Sequence, residues 1–145
     1  MKYITNSYEE TERVAAELAK SLKGGEVIAM YGDLGAGKTA FVRGLARALG
    51  IEGHITSPTF TIMNAYNGRL PLYHFDVYRI ADPDEMYEIG CDEYIGSDGV
   101  CVIEWAELIE DILPDEYIKV NIKKDSEKGD DYREITIENA GLSKE

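Results

Sequence analysis

Long apolar runs are missing from this sequence. None approaches the roughly 18 residues that a membrane-crossing helix needs, so no helical span is predicted. Cysteine is scarce. Cys91 and Cys101 stand in no metal-binding or redox spacing and read as two reduced thiols. The opening stretch, Met1 to Asn6, lacks signal-peptide anatomy, and a cytoplasmic location is expected. Basic residues are few: 15 Lys and Arg stand against 28 Asp and Glu, a net charge of −13. Nucleic-acid binding draws most of its affinity from neutralised phosphates, so such a chain is a poor stand-alone DNA or RNA binder. Solubility alone accounts for the charge, and a basic protein partner also fits it. No repeat, linker or low-complexity block interrupts the chain. Its 145 residues fit one domain, predicted over 1–140 with a frayed tail at 141–145.

What is present is a strand–helix alternation. Lys2 to Asn6 reads as a short edge strand, and Ser7-x-x-Glu10 as a capping box. Val14, Leu18 and Leu22, with Ala15 and Ala19, form the apolar stripe of a helix that Gly24-Gly25 ends. Glu26 to Tyr31 carries a continuous apolar run suited to a fully buried parallel strand. A glycine-rich loop follows, then a helix over Thr39 to Leu49 with Phe41, Leu45 and Leu49 on one face. Ile55 to Ala65 reads as loop then strand, Asn67-Gly68 as a turn, and Leu70 to Tyr78 as a strand. A short helix is predicted over Pro83 to Ile89, a buried strand over Val100 to Ile103, and a helix from Ala106. Tyr117 to Lys123 and Tyr132 to Glu138 alternate around a polar turn and predict a hairpin. The expected fold is α/β: a three-layer, P-loop NTPase-like domain whose sheet is mostly parallel with an antiparallel C-terminal edge.

The loop Gly32-Asp33-Leu34-Gly35-Ala36-Gly37-Lys38-Thr39 fits the phosphate-binding pattern G-x-x-x-x-G-K-[ST]. It lies between a buried strand and a helix, the setting that pattern requires. Glycines let the backbone approach a phosphate closely. The amides of Gly35, Ala36, Gly37, Lys38 and Thr39 would form an anion nest at a helix N-terminus. Lys38 would serve the β- and γ-phosphates, and the Thr39 hydroxyl suits Mg2+, a cation that takes oxygen ligands.

Such a site needs a carboxylate near the metal, at the end of a buried strand. Glu104 follows the plain apolar strand Val100-Cys101-Val102-Ile103, which favours it over Asp76. For either acid the ordinary alternative is a salt-bridged strand end. His74 and Asp76 are two residues apart, so they share a strand face and could orient a water or a partner group. A packed, hydrogen-bonded histidine is the alternative there. Ser57-Pro58-Thr59-Phe60 occupies the place of a γ-phosphate-sensing switch, or of an ordinary turn. Trp105 reads as core, and Arg79 and Arg133 as surface salt-bridge partners.

Four segments in this order carry a resemblance: the Gly32–Thr39 loop, Ser57–Phe60, His74-Phe75-Asp76-Val77-Tyr78-Arg79, and Ile103-Glu104-Trp105-Ala106-Glu107. Together they resemble the TsaE family of bacterial ATPases, required for threonylcarbamoyladenosine modification of tRNA. The resemblance runs from about Thr11 to the final hairpin and implies ATP bound with Mg2+. It implies Thr39 and Glu104 in the metal shell, Asp76 at the nucleotide acting in hydrolysis with Lys38 and Glu104, and Ser57–Phe60 as the switch. Nucleotide contacts are implied for Thr11, Gly35, Ala36, Gly37, Lys38, Thr39, Ala40, Asp76 and, through a looser alignment, Arg133. The implied partners are the TsaB and TsaD proteins, with tRNA engaged only indirectly. Slow hydrolysis by the chain alone is expected, because no arginine finger is evident. Two other functions fit a P-loop domain: a small-molecule kinase, which usually carries an arginine-rich lid absent here, and a nucleotide-gated binding module without turnover.

Overall fold

The computed structural model describes residues 1–32, 38–52, 63–77, 84–88, 90–95 and 97–138. In chain order these form β1 (Lys2–Thr5), α1 (Tyr8–Ala19), β2 (Val27–Gly32), α2 (Lys38–Ala48), β3 (Met63–Tyr66), β4 (Leu72–Asp76), α3 (Glu85–Glu88), α4 (Cys91–Tyr94) and β5 (Val100–Glu104). A 3₁₀ segment (Ala106–Ile112), β6 (Ile118–Lys124), a 3₁₀ turn (Ser126–Lys128) and β7 (Arg133–Glu138) complete it. One seven-stranded sheet runs in the order β1-β7-β6-β2-β5-β4-β3.

The capping box forms with a one-residue offset. The Ser7 hydroxyl accepts from the Glu10 amide at 3.1 Å, and Glu10 Oε1 accepts from the Asn6 amide at 2.7 Å. The sheet is more mixed than the expected, mostly parallel one. Strands β4, β5, β2 and β6 form a parallel block. Antiparallel strands flank it on both sides: β7 and β1 at one edge, as the C-terminal hairpin predicts, and β3 at the other. The Asn67-Gly68 turn lies in the connection from β3 back to β4, and a connection that short permits only an antiparallel return.

Side-chain alternation along the central strands feeds two cores. Ile28 and Met30 of β2 and Val100 and Val102 of β5 pack under α1 and α2, with Phe41, Leu45 and Ala15. Val27, Ala29 and Tyr31, with Cys101 and Ile103, face the opposite side against Met86, Cys91, Ala106 and Ile109. Covered on both faces, these strands need apolar residues at every position, which is why they read as continuous runs.

Two elements depart from expectation. The helix predicted from Ala106 is a 3₁₀ segment with a non-helical kink at Ile109 (φ −133°). It is hemmed by a left-handed residue at Trp105 and by Pro114, too short a span for α-helical bonding to propagate. The Leu70–Tyr78 strand begins only at Leu72, after Pro71, which has no amide to donate to a ladder.

Candidate functional site at the carboxyl rim of the sheet

The register places the site. In a parallel sheet the carboxyl ends of the strands share one rim, and ligands bind there. Asp76, the last residue of β4, lies opposite Glu104, the last of β5. Glu104 lies opposite Met30 of β2, two residues before Gly32. Gly32 pairs with Ile122 near the end of β6, and Lys124 pairs with Arg133 at the start of antiparallel β7. Arg133 in turn faces Thr5, the last residue of β1. Six strands therefore deliver Asp76, Glu104, Gly32, Lys124, Arg133 and Thr5 along one line.

Gly32 is where the chain leaves the sheet. Its φ is +138°, and a Cβ there would lie 2.4 Å from the Ile122 carbonyl oxygen. Only glycine fits, so the close pass of β2 against β6 depends on it. Asp33, Leu34, Gly35, Ala36 and Gly37, and the Ser57–Phe60 and Arg79 positions, lie outside the described residues. The chain resumes as α2, whose first residues are Lys38, Thr39 and Ala40.

Lys38 is only 5% exposed. Its ammonium donates to the Gly32 carbonyl at 3.1 Å and sits 3.8 Å from the centre of the Trp105 ring. A buried cation needs compensating negative charge, here supplied by a carbonyl dipole and a π-face worth up to about 2 kcal/mol when desolvated. Trp105, expected in the core, is half-buried and is the one non-glycine residue with positive φ among the described residues (φ 64°). That conformation costs roughly 1–2 kcal/mol. It ends β5 directly after Glu104 and holds the ring over the lysine.

By alternation Leu72, His74 and Asp76 of β4 point to the α2 face, as do Val102 and Glu104 of β5. Glu104 is 4% exposed and His74 fully buried, with His74 Nε2 and Glu104 Oε2 2.5 Å apart. An ionised carboxylate only accepts, so Nε2 is the donor. Among the described residues His74 Nδ1 has no hydrogen-bond partner, a burden of about 1–3 kcal/mol for a buried polar atom. Asp76 is half-buried.

Thr11, in the first turn of α1, is buried, and its hydroxyl lies 2.8 Å from that of Thr5. Arg133 is buried too and donates to the carbonyls of Asp130 and Tyr132. Thr11 and Arg133, linked in sequence only by family likeness, thus meet the rim through Thr5. Sequence reasoning passed over Thr5, because its partners lie on a following helix and on a strand at the far end of the chain.

Among the described residues, no group of three or more His, Cys, Asp or Glu could enclose a metal. The residues expected to face the metal offer a hydroxyl, Thr39, at the start of α2, and a carboxylate, Glu104, with Asp76 beside it on the rim. Those hard oxygen donors fit Mg2+ that takes its remaining ligands from phosphates and water.

The model for "Threonylcarbamoyl adenosine biosynthesis protein TsaE" matches residues 5–135, a span holding every rim residue named above. The chain belongs to the TsaE family. A TsaE protein of Bacillus subtilis is 49% identical over 142 residues, covering 97% of this chain and 87% of the relative. Another, from Treponema pallidum, is 42% identical over 137 residues, covering 94% and 99%. The crystal structure of Bacillus subtilis YdiB superposes with a TM-score of 0.80 at 46% identity, covering 99% of this chain and 87% of that one. This TsaE-family chain therefore shares their α/β fold along nearly its whole length. No helix among the described residues is long and apolar enough to cross a membrane.

Proposed function

We propose that this chain is a cytoplasmic P-loop ATPase that binds ATP with Mg2+ at the carboxyl rim and serves tRNA threonylcarbamoyladenosine formation with TsaB and TsaD. The observation that carries the reading is the convergence of Lys38, Glu104 and Asp76 beside Gly32, where a loop of phosphate-binding pattern leaves β2. In this reading the amides of Gly35 to Thr39 cradle the phosphates at the N-terminus of α2. Lys38 exchanges the Gly32 carbonyl for phosphate oxygens. Bound Mg2+ would neutralise charge on the β- and γ-phosphates. Thr39 and Glu104 are the residues that would hold it. Asp76, beside Glu104 on the same face, orients the attacking water. Ala40, Thr11 and Arg133 complete the nucleotide contacts. The acidic surface fits a partner that is a protein rather than bare tRNA.

Phosphate release with and without TsaB–TsaD tests this. Turnover should be slow alone and rise with the partners. Asp76→Ala should retain ATP binding and lose turnover. Equal rates with and without partners, or full turnover in Asp76→Ala, would contradict the assignment.

A further inference from the structure

His74 is a polar residue in an apolar setting. It is fully buried beside the Leu72 and Val102 positions that build the α2-side core. A residue selected for packing there would be apolar, whereas His74 carries a ring nitrogen that makes no hydrogen bond among the described residues. Its other nitrogen reaches past its register partner Val102 to Glu104, two residues nearer the rim. The Glu104 carboxylate makes no other hydrogen bond among the described residues, so this one contact orients it. Oε2 is thereby held at His74 of β4, and Oε1 makes no hydrogen bond among the described residues.

We infer that His74 is a positioning residue: its Nε2–H orients Glu104 so that the remaining carboxylate oxygen faces the cation that accompanies the nucleotide. The inference rests on the reading of Glu104 as a metal-side carboxylate. Donors behind a metal-facing ligand typically contribute about 10- to 100-fold in metal affinity.

The test is calorimetric titration of ADP into the full chain across a range of Mg2+ concentrations, which needs no turnover. His74→Ala should bind ADP normally in chelator and require about 10- to 100-fold more Mg2+ to reach the tight state. His74→Gln, whose amide can donate in place of Nε2, should recover most of the response. His74→Leu, which fills the core without a donor, should behave like His74→Ala and guards against loss of fold in the smaller variant. A wild-type Mg2+ response in folded His74→Ala and His74→Leu overturns the inference. So does a loss of ADP affinity that is equal with and without Mg2+, which marks a structural role only. Glu104→Gln separates the two levels. If it keeps the wild-type Mg2+ response, the reading of Glu104 fails and the inference with it. If Glu104→Gln loses the response while the His74 variants keep it, the inference alone fails.

Discussion

Helix α1 crosses α2 at Gly44, and Gly44→Ala sets two effects of opposite sign against each other. In an ordinary helix the change would stabilise by about 1 kcal/mol, because alanine is the better helix former. Here the new Cβ would lie 2.4 Å from the Glu12 carbonyl oxygen, 2.5 Å from Glu12 Cα and 2.9 Å from its carbonyl carbon. Ordinary contact begins near 3.4 Å, so the helices must part by about 1 Å. All three atoms are backbone, and no rotamer change relieves them. Overpacking of this kind costs typically 1–3 kcal/mol, and a backbone clash belongs at the upper end or beyond. The net expectation is a loss of about 2 kcal/mol, or a fall in Tm of roughly 4–8 °C for a chain of this size. Parting would also strain the Glu12 ion pairs to Arg43 and Arg47 (3.0 and 2.8 Å) and shift Thr11 away from α2. Thermal unfolding followed by circular dichroism measures the effect, and ADP titration measures its reach to the rim. An unchanged or higher Tm would refute the crossing geometry.

Two further outcomes follow from buried groups. Burial, then the hydrogen bond to Glu110 Oε2 at 2.8 Å, raises the Tyr31 phenol well above its ordinary value near 10. The folded state thus holds that proton more tightly. Its contribution to stability is complete below pH 10 and is lost as pH rises above it, and Tyr31→Phe should flatten the alkaline limb of a stability–pH curve. Burial also pushes the Cys101 thiol up to about 12 and raises Cys91. Because the thiolate is the nucleophile, neither should react with iodoacetamide at pH 8 until urea unfolds the chain. Rapid labelling of the native protein would contradict that burial.

Much of this arrangement is written locally in the sequence. β2 and β5 announce themselves as apolar runs because both their faces are covered, and α1 and α2 by stripes of one face. The glycine-rich loop stands out in the sequence because the phosphate-binding pattern it matches fixes spacing as well as composition. What local pattern does not carry is placement. β1 pairs with β7, and the Met1 amine donates to the Ile137 carbonyl, from opposite ends of the chain. No periodicity encodes that pairing, so Thr5 stayed hidden. The second antiparallel edge at β3 follows from the short Asn67-Gly68 turn, which is visible in the sequence although the expected fold placed an antiparallel edge only at the C-terminal side. Trp105 packs against the second core, as its hydrophobicity suggests, but hydrophobicity says nothing of backbone hand, and the left-handed turn there also brings the ring to Lys38. The i, i+2 spacing put His74 and Asp76 on one face, yet whether His74 served a water or the core was open. The structure shows the packed, hydrogen-bonded alternative, with Glu104 as the bonded group.

The central claim is that the rim beside Gly32 binds ATP. Calorimetric titration of ATP with Mg2+ into the intact chain and into Lys38→Ala tests it most directly. One saturable site per chain is expected, and Lys38→Ala should abolish or severely weaken it while the fold persists. Absence of binding by the unaltered chain, or full affinity in Lys38→Ala, would contradict it.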